Sequence, residues 1–244
     1  MLASYFLFAL VTTTSGSPLH YSRRASNTTT LSLFDSLTTT CDLDQSRIPS
    51  VANFSSSLPA PDGQRLRYVA VGRGIQNYTC DSSTTAATPA AIGAIATLYN
   101  ANCILKNYPS MIDNIPDILL QFSIHSTKGD IIASDAPNIL GHHRFGDSTT
   151  AVFDLNTASH EYGQVIAHKA GSMNAPSNSP LGQVPSINGA VAWLYLLSSA
   201  DSTADITSVY RTHTAGGSPP ATCKGQKSGV LSVEYAALYW FFSR

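Results

Sequence analysis

The sequence is poor in charged residues. Only 12% of its 244 residues are Asp, Glu, Lys or Arg, and the net charge is −1. A nucleic-acid partner requires a basic surface, so this composition argues against nucleic-acid binding. Polarity comes from Ser, Thr and Asn instead, and hydrophobic residues at 43% are enough to build a core. We therefore expect a folded domain and not a disordered linker.

The sequence also lacks an apolar run long enough to cross a bilayer, which needs about twenty residues. The N-terminal run, Leu2–Val11, has about ten residues and is followed by small residues at Thr14 and Gly16. This pattern predicts a cleaved secretory signal peptide at residues 1–16, with an uncleaved anchor as the alternative. We expect a secreted protein, outside the cell or in the cell wall, without a membrane partner after cleavage.

No segment carries a sustained helical period with caps. Short β-like runs separated by Gly, Pro and Ser turns predict a single all-β domain at residues 58–244, shaped as a sandwich or a barrel. A Ser/Thr-rich arm at residues 17–57 is expected to be loosely ordered. Ala90–Tyr99 fits a strand or a helix, and Ala190–Leu197 fits a buried strand or a short helix. The clearer β-like runs are Arg65–Gly72, Ile75–Cys80, Ile115–Phe122, Ile131–Ser134, Gln164–His168, Ile206–Thr214 and Val233–Phe242.

Gly72 and Gly74 follow a β-type run, as in the opening of a dinucleotide-binding fingerprint. That fingerprint needs a third glycine and then a helix. The third position here is Asn77, and the Tyr78 and Thr79 that follow favour a strand. We expect a strand, a tight glycine turn and a second strand, so that the glycines serve backbone geometry and bind no cofactor.

Cysteines and sequons fit an oxidising compartment. No cysteine spacing is typical of a zinc site, and an even number in a secreted chain predicts two disulfides, for which three pairings are possible. Sequons at Asn27, Asn53 and Asn77 predict N-glycosylation. The four cysteines are Cys41, Cys80, Cys103 and Cys223.

The densest polar cluster, GHHRFGD, ends at Asp147 and lies in a predicted hairpin turning at Gly146. Neighbouring strand residues point to opposite faces, so His142 and His143 cannot chelate one metal side by side. Since His143 shares its face with Phe145, we expect His143 to point inward and to be hydrogen-bonded. The functional hypothesis is a metal or acid/base site centred on His142–Asp147, with further ligands from elsewhere. The alternative is one core histidine and one surface histidine.

Other catalytic patterns are weak. The Gly-x-Ser-x-Gly elbow of serine hydrolases is absent. Glu161 and Glu234 are the only glutamates, so paired acids for glycoside hydrolysis are scarce. The C-terminal aromatics, Tyr235 to Phe242, could stack on sugars, but a terminal strand of this composition is more typical of a core.

Six segments span nearly all of the predicted domain, namely Leu58–Cys80, Ala90–Cys103, Leu140–Leu155, Ala190–Ser198, Val209–Gly225 and Val233–Phe242. Together they resemble a family of secreted fungal proteins with bacterial relatives, known only as a domain of unknown function. Its fungal members often carry the name malate dehydrogenase. The resemblance implies a secreted single domain and no mechanism. The bacterial relatives share QNYTC and GGSPPATC, which implies a bridge Cys80–Cys223 and leaves Cys41–Cys103 as the second bridge.

Three functional hypotheses follow from the sequence. The first is a non-catalytic secreted glycoprotein that binds a cell-wall polysaccharide or a surface protein. The second is a secreted metal-dependent hydrolase centred on His142–Asp147. The third, a malate dehydrogenase, would require an α/β nucleotide-binding domain, and the pattern of short β-like runs does not predict one.

Overall fold

The computed structural model describes residues 41–43, 58–81, 86–122, 124, 138–182, 188–226 and 229–244. The predicted signal peptide, the sequons Asn27 and Asn53, and the predicted strand Ile131–Ser134 lie outside these residues. The predicted arm is described only at residues 41–43, so its looseness stays a prediction.

Eight antiparallel strands close into a barrel, because each strand pairs with the next in sequence and the last pairs with the first. Closure removes the unpaired edges that an open sheet would expose. The all-β prediction is confirmed, and of the two predicted shapes the barrel is the observed one. The strands are β1 (Arg65–Cys80), β2 (Ala90–Asn100), β3 (Ile139–Phe145), β4 (Thr150–Thr157), β5 (His160–Met173), β6 (Trp193–Ser198), β7 (Ser208–Gly216) and β8 (Gly229–Ser243).

From Tyr235 to its end at Ser243, strand β8 is buried on both of its faces. One hydrophobic cluster takes side chains from all eight strands and fills the barrel interior, and Tyr235, Tyr239 and Phe241 belong to it. Their neighbours Trp240 and Phe242 point to the other face and belong to an outer cluster. Because both faces are apolar, the strand shows no polar alternation in sequence. The aromatic run is therefore core, as its composition predicted, and cannot stack on sugars.

The connection between β2 and β3 covers the outer cluster. It contains α1 (Asn102–Asn107), a 3-10 turn (Ile112–Asn114) and α2 (Ile115–Leu120), whose buried side chains pack on the outer face of β1, β7 and β8. The predicted strand at Ile115–Phe122 is wrong. Pro116 occupies the start of α2, where a missing N–H costs no hydrogen bond. Within the residues that the structure describes, no helix has the length and apolar character needed to cross a membrane.

The predicted glycine turn is also wrong, because β1 runs unbroken from Arg65 to Cys80. Both glycines are required by close packing inside the barrel. A Cβ at Gly74 would lie 2.0 Å from the carbonyl oxygen of Ile95, and a Cβ at Gly72 would lie 2.5 Å from a ring carbon of Tyr239. The glycines therefore serve backbone geometry through close approach and not through a turn.

Two disulfides join distant parts of the chain. Cys80, at the end of β1, is bonded to Cys223 in the β7–β8 connection, and Cys41 is bonded to Cys103 in α1. This is the pairing that the resemblance implied. The first bridge fixes one end of the barrel, and the second ties residue 41 to the outer helical connection.

Candidate functional site

The predicted hairpin is present, formed by β3 and β4, and it separates the two histidines. His142 is exposed on the outer face opposite Asp154, whereas His143 is only 3% exposed and points into the barrel. The imidazole of His143 stacks on the Phe153 ring with 4.4 Å between centroids. The predicted inward orientation of His143 is confirmed, and the two side chains do not share a site.

The contacts of His143 are those of a neutral core imidazole. Its Nδ1 lies 3.0 Å from the carbonyl oxygen of Val152. A carbonyl can only accept, so Nδ1 carries the hydrogen and Nε2 keeps its lone pair. Burial lowers the pKa of His143 to about 4, against the opposing effect of the Val152 hydrogen bond. The ring is therefore uncharged at neutral pH.

Asp147 is exposed and organises the β3–β4 turn. Its Oδ1 accepts hydrogen bonds from the backbone N–H groups of Thr149 and Thr150 at 2.7 and 2.8 Å, and both threonine hydroxyls donate to its carboxylate. These bonds, led by the Thr149 N–H, hold the pKa of Asp147 well below its usual range. The carboxylate is thus a turn-stabilising group that stays ionised, unsuited to act as a catalytic acid.

The cluster His142, His143 and Asp147 does not converge on one point. The His142 side chain lies outside the barrel, and the His143 side chain lies inside it. The Asp147 carboxylate is hydrogen-bonded within its own turn. In the described part of the chain, no group of three or more His, Cys, Asp and Glu side chains is arranged to hold a metal ion.

A further polar cluster lies on the outer face around His213. This residue occupies a bulge of β7 with a left-handed φ of 47°, which a non-glycine residue rarely adopts. Its Nε2 lies 3.3 Å from Asp113 Oδ1, and its Nδ1 lies 2.9 Å from the Thr212 hydroxyl. Burial lowers the pKa of His213, and Asp113 opposes that effect. The pair links β7 to the helical connection.

The barrel interior opens into a cavity at the end where the β3–β4 turn lies. Its volume is about 430 Å³. Exposed residues of that turn, Ser148 and Thr149, form one side of the rim, and His168 and Lys169 of β5 form another. Five apolar side chains line the cavity, namely Ala91, Phe145, Ala151, Leu194 and Leu196.

Two buried polar side chains also line this cavity. Arg211 on β7 is 7% exposed, and its Nε and Nη2 donate to the carbonyl oxygen of Ala192 at 3.3 and 2.8 Å. No carboxylate of the described residues forms an ion pair with this guanidinium. Gln76 on β1 is 8% exposed, and its Nε2 is buried without a hydrogen-bond partner among those residues.

Two tyrosines of β8 lie in the barrel interior beside Arg211. The hydroxyls of Tyr235 and Tyr239 lie 2.9 Å apart, and Tyr239 is the cross-strand neighbour of Arg211. Burial raises the pKa of both phenols, and the positive charge of Arg211 opposes that rise. The Tyr239 ring also contacts His143 and Phe153. Beneath the cavity the barrel is therefore filled with aromatic rings.

Asn77, the one sequon asparagine that the structure describes, lies on the outer face of β1. It is half-buried, and its Oδ1 accepts a hydrogen bond of 2.7 Å from the Ser232 hydroxyl. Its glycosylation stays a prediction.

The fold and the cavity together define a closed eight-stranded antiparallel barrel with an internal pocket at one mouth. The family model described as protein of unknown function (DUF3455) matches residues 61–243, which is most of the chain. The chain belongs to this family. No curated protein and no solved structure matches it. The family description states no activity.

Proposed function

We propose that the barrel binds a small, largely apolar molecule in its mouth cavity. The observation that carries this proposal is the cavity itself, about 430 Å³ in volume and walled by Phe145, Leu194 and Leu196. Small-molecule sites typically have this size, are mostly apolar, and contain a few polar groups that orient the ligand. Removing the apolar surface of a ligand from water supplies the driving force.

We place this binding outside the cell. The two disulfides support an oxidising compartment. The signal-like residues 1–16 and the sequons at Asn27, Asn53 and Asn77 support a secreted glycoprotein. A cavity inside the barrel favours a small molecule over a cell-wall polysaccharide or a surface protein, either of which would need an exposed binding face.

The two enzymatic hypotheses have no supporting arrangement among the described residues. A hydrolase centred on His142–Asp147 would need those side chains to face one substrate, and they face different ways. A dehydrogenase would need Gly72 and Gly74 in a phosphate-binding loop, and they lie in the middle of a strand.

The proposal is tested with N-phenyl-1-naphthylamine, an uncharged apolar fluorophore. Its fluorescence should rise saturably with the wild-type protein. Leu194→Trp should abolish that rise, because the larger ring would fill the cavity. Leu197→Trp is the matched control, since Leu197 lies on the same strand but is 46% exposed. Circular dichroism verifies that both variants fold. Absence of saturable binding to the wild type, or unchanged binding to Leu194→Trp, would overturn the proposal.

A further inference from the structure

We infer that the ligand is an amphipathic organic acid, and that Arg211 binds its carboxylate inside the barrel mouth. This inference rests on the proposed function, because it names the class of molecule that the same cavity would take. The charges in the cavity indicate the acid group, and the apolar walls indicate the apolar body of the ligand.

Arg211 is a buried cation whose counter-charge is not supplied by the described residues. A guanidinium does not lose its proton in proteins, so burial cannot neutralise it. The partner of its Nε and Nη2 is the carbonyl oxygen of Ala192, which carries no charge. A buried charge is stable only when it is paired. An anionic ligand would supply that pairing.

The other charged groups at the cavity strengthen the preference for an anion. Lys169 lies on the rim and adds a second positive charge near the mouth. Neither Asp nor Glu occurs among the described residues that line the cavity. A mouth with one sign of charge attracts ions of the opposite sign.

Gln76 provides a second, neutral donor. Its buried Nε2 makes no hydrogen bond of normal geometry to the described residues, and the Tyr235 phenol is the nearby group that it affects. An unpaired buried N–H is costly, and a ligand oxygen in the cavity would satisfy it. Carboxylates accept several hydrogen bonds at once, so one acid group suits a site with a guanidinium and an amide donor.

The cavity favours a ligand with one negative charge and an apolar body. Arg211 is the one buried cation among the described lining residues, so a monoanion balances it. Phe145, Leu194 and Leu196 then pack against the hydrocarbon or aromatic part of the ligand. Long-chain or aryl-substituted carboxylic acids combine both properties.

The test compares dodecanoic acid with dodecanol, which differ only in the head group, as competitors of N-phenyl-1-naphthylamine at pH 7.5. The wild type should bind the acid at least tenfold more tightly than the alcohol. Arg211→Met should bring this ratio close to one while alcohol binding persists. Arg211→Lys should keep part of the preference because it keeps the charge. Arg144→Met is the control, since Arg144 is exposed on the outer face of β3, and it should leave the ratio unchanged.

Equal binding of acid and alcohol by the wild type would overturn the inference and leave the proposed function intact. A preference for the acid that survives Arg211→Met would also overturn it. Failure of the wild type to bind the fluorophore and both competitors would instead overturn the proposed function. Dodecyl sulfate, added as a third competitor, tests the head group, and stronger binding of the sulfate than of the acid would overturn the assignment to a carboxylate.

Discussion

Arg73 and Glu234 form an ion pair on the outer face of the barrel, with the arginine side chain 1% exposed and the glutamate side chain 27% exposed. Arg73 also donates to the carbonyl oxygens of Leu119 and Phe122 at 3.2 and 2.8 Å. These two carbonyls belong to α2 and the residues just after it. A single guanidinium therefore attaches the helical connection to β1 and β8.

Glu234→Gln should lower the free energy of unfolding by about 2 kcal/mol, because it leaves the buried Arg73 without its counter-charge. We expect less than for a fully buried pair, since water reaches the Glu234 carboxylate. Urea unfolding at pH 7.5 measures the change. Glu161→Gln is the matched control, because Glu161 is the other glutamate of the chain and is exposed on β5. Equal effects of the two substitutions would show that the ion pair contributes nothing.

The all-β class and the inward orientation of His143 could be predicted because side chains alternate between the two faces of a strand. That alternation is visible in a few neighbouring residues. The helix Ile115–Leu120 could not, since six residues are too few to display a helical period. The role of Gly72 and Gly74 was only partly predictable. A turn and a close approach both require glycine, and the ring that excludes a Cβ at Gly72 belongs to Tyr239, far along the chain.

The candidate site was harder to predict than the fold. Arg211 lies two residues after Val209 in the alternating run of β7, so the two share a face. The sequence alone does not show which face of β7 points into the barrel, because the pairing of all eight strands decides it. The cluster ending at Asp147 is dense in polar residues mainly because His142, Arg144 and Asp147 face solvent. The available signal was the single arginine within the alternating run Ile206–Thr214.

Gly74→Ala should lower the free energy of unfolding by about 3 kcal/mol, because its Cβ would overlap backbone atoms that cannot move aside. That Cβ would lie 2.0 Å from the carbonyl oxygen of Ile95 and 2.6 Å from the Cα of Ala96. Gly146→Ala is the control, since a Cβ there meets nothing closer than 3.6 Å. Thermal unfolding of the two variants provides the comparison. A Gly74→Ala protein as stable as Gly146→Ala would contradict the close packing of β1 against β2.

The double variant Cys80→Ala/Cys223→Ala should lose about 4 kcal/mol of stability, since the bridge restricts a long loop of the unfolded chain. The two cysteines are separated by 143 residues, against 62 for Cys41 and Cys103. We therefore expect a slightly smaller loss for Cys41→Ala/Cys103→Ala. Urea unfolding without reductant gives both values. A clearly larger loss for the shorter loop would show that local contacts, and not loop closure, dominate the effect.

The stability of the protein should fall below pH 6.5 because of His143. Burial holds its pKa at about 4 in the folded state, against about 6.5 in the unfolded chain. As the pH falls below 6.5 the unfolded state takes up a proton that the folded state does not, so the stabilisation present above pH 6.5 is lost towards pH 4. The loss attributable to this group is on the order of 3 kcal/mol between pH 7.5 and pH 4.

His143→Gln isolates this contribution, because glutamine can still donate a hydrogen bond to the Val152 carbonyl but does not titrate. Urea unfolding at pH 7.5 and pH 4 should show a smaller loss on acidification for His143→Gln than for the wild type. His142→Gln, at the exposed neighbour, should follow the wild-type curve. The lowered pKa of His213 adds a loss in the same direction, which is common to all three proteins and cancels in the comparison. Identical losses of stability in all three proteins would show that groups other than His143 cause the acid sensitivity.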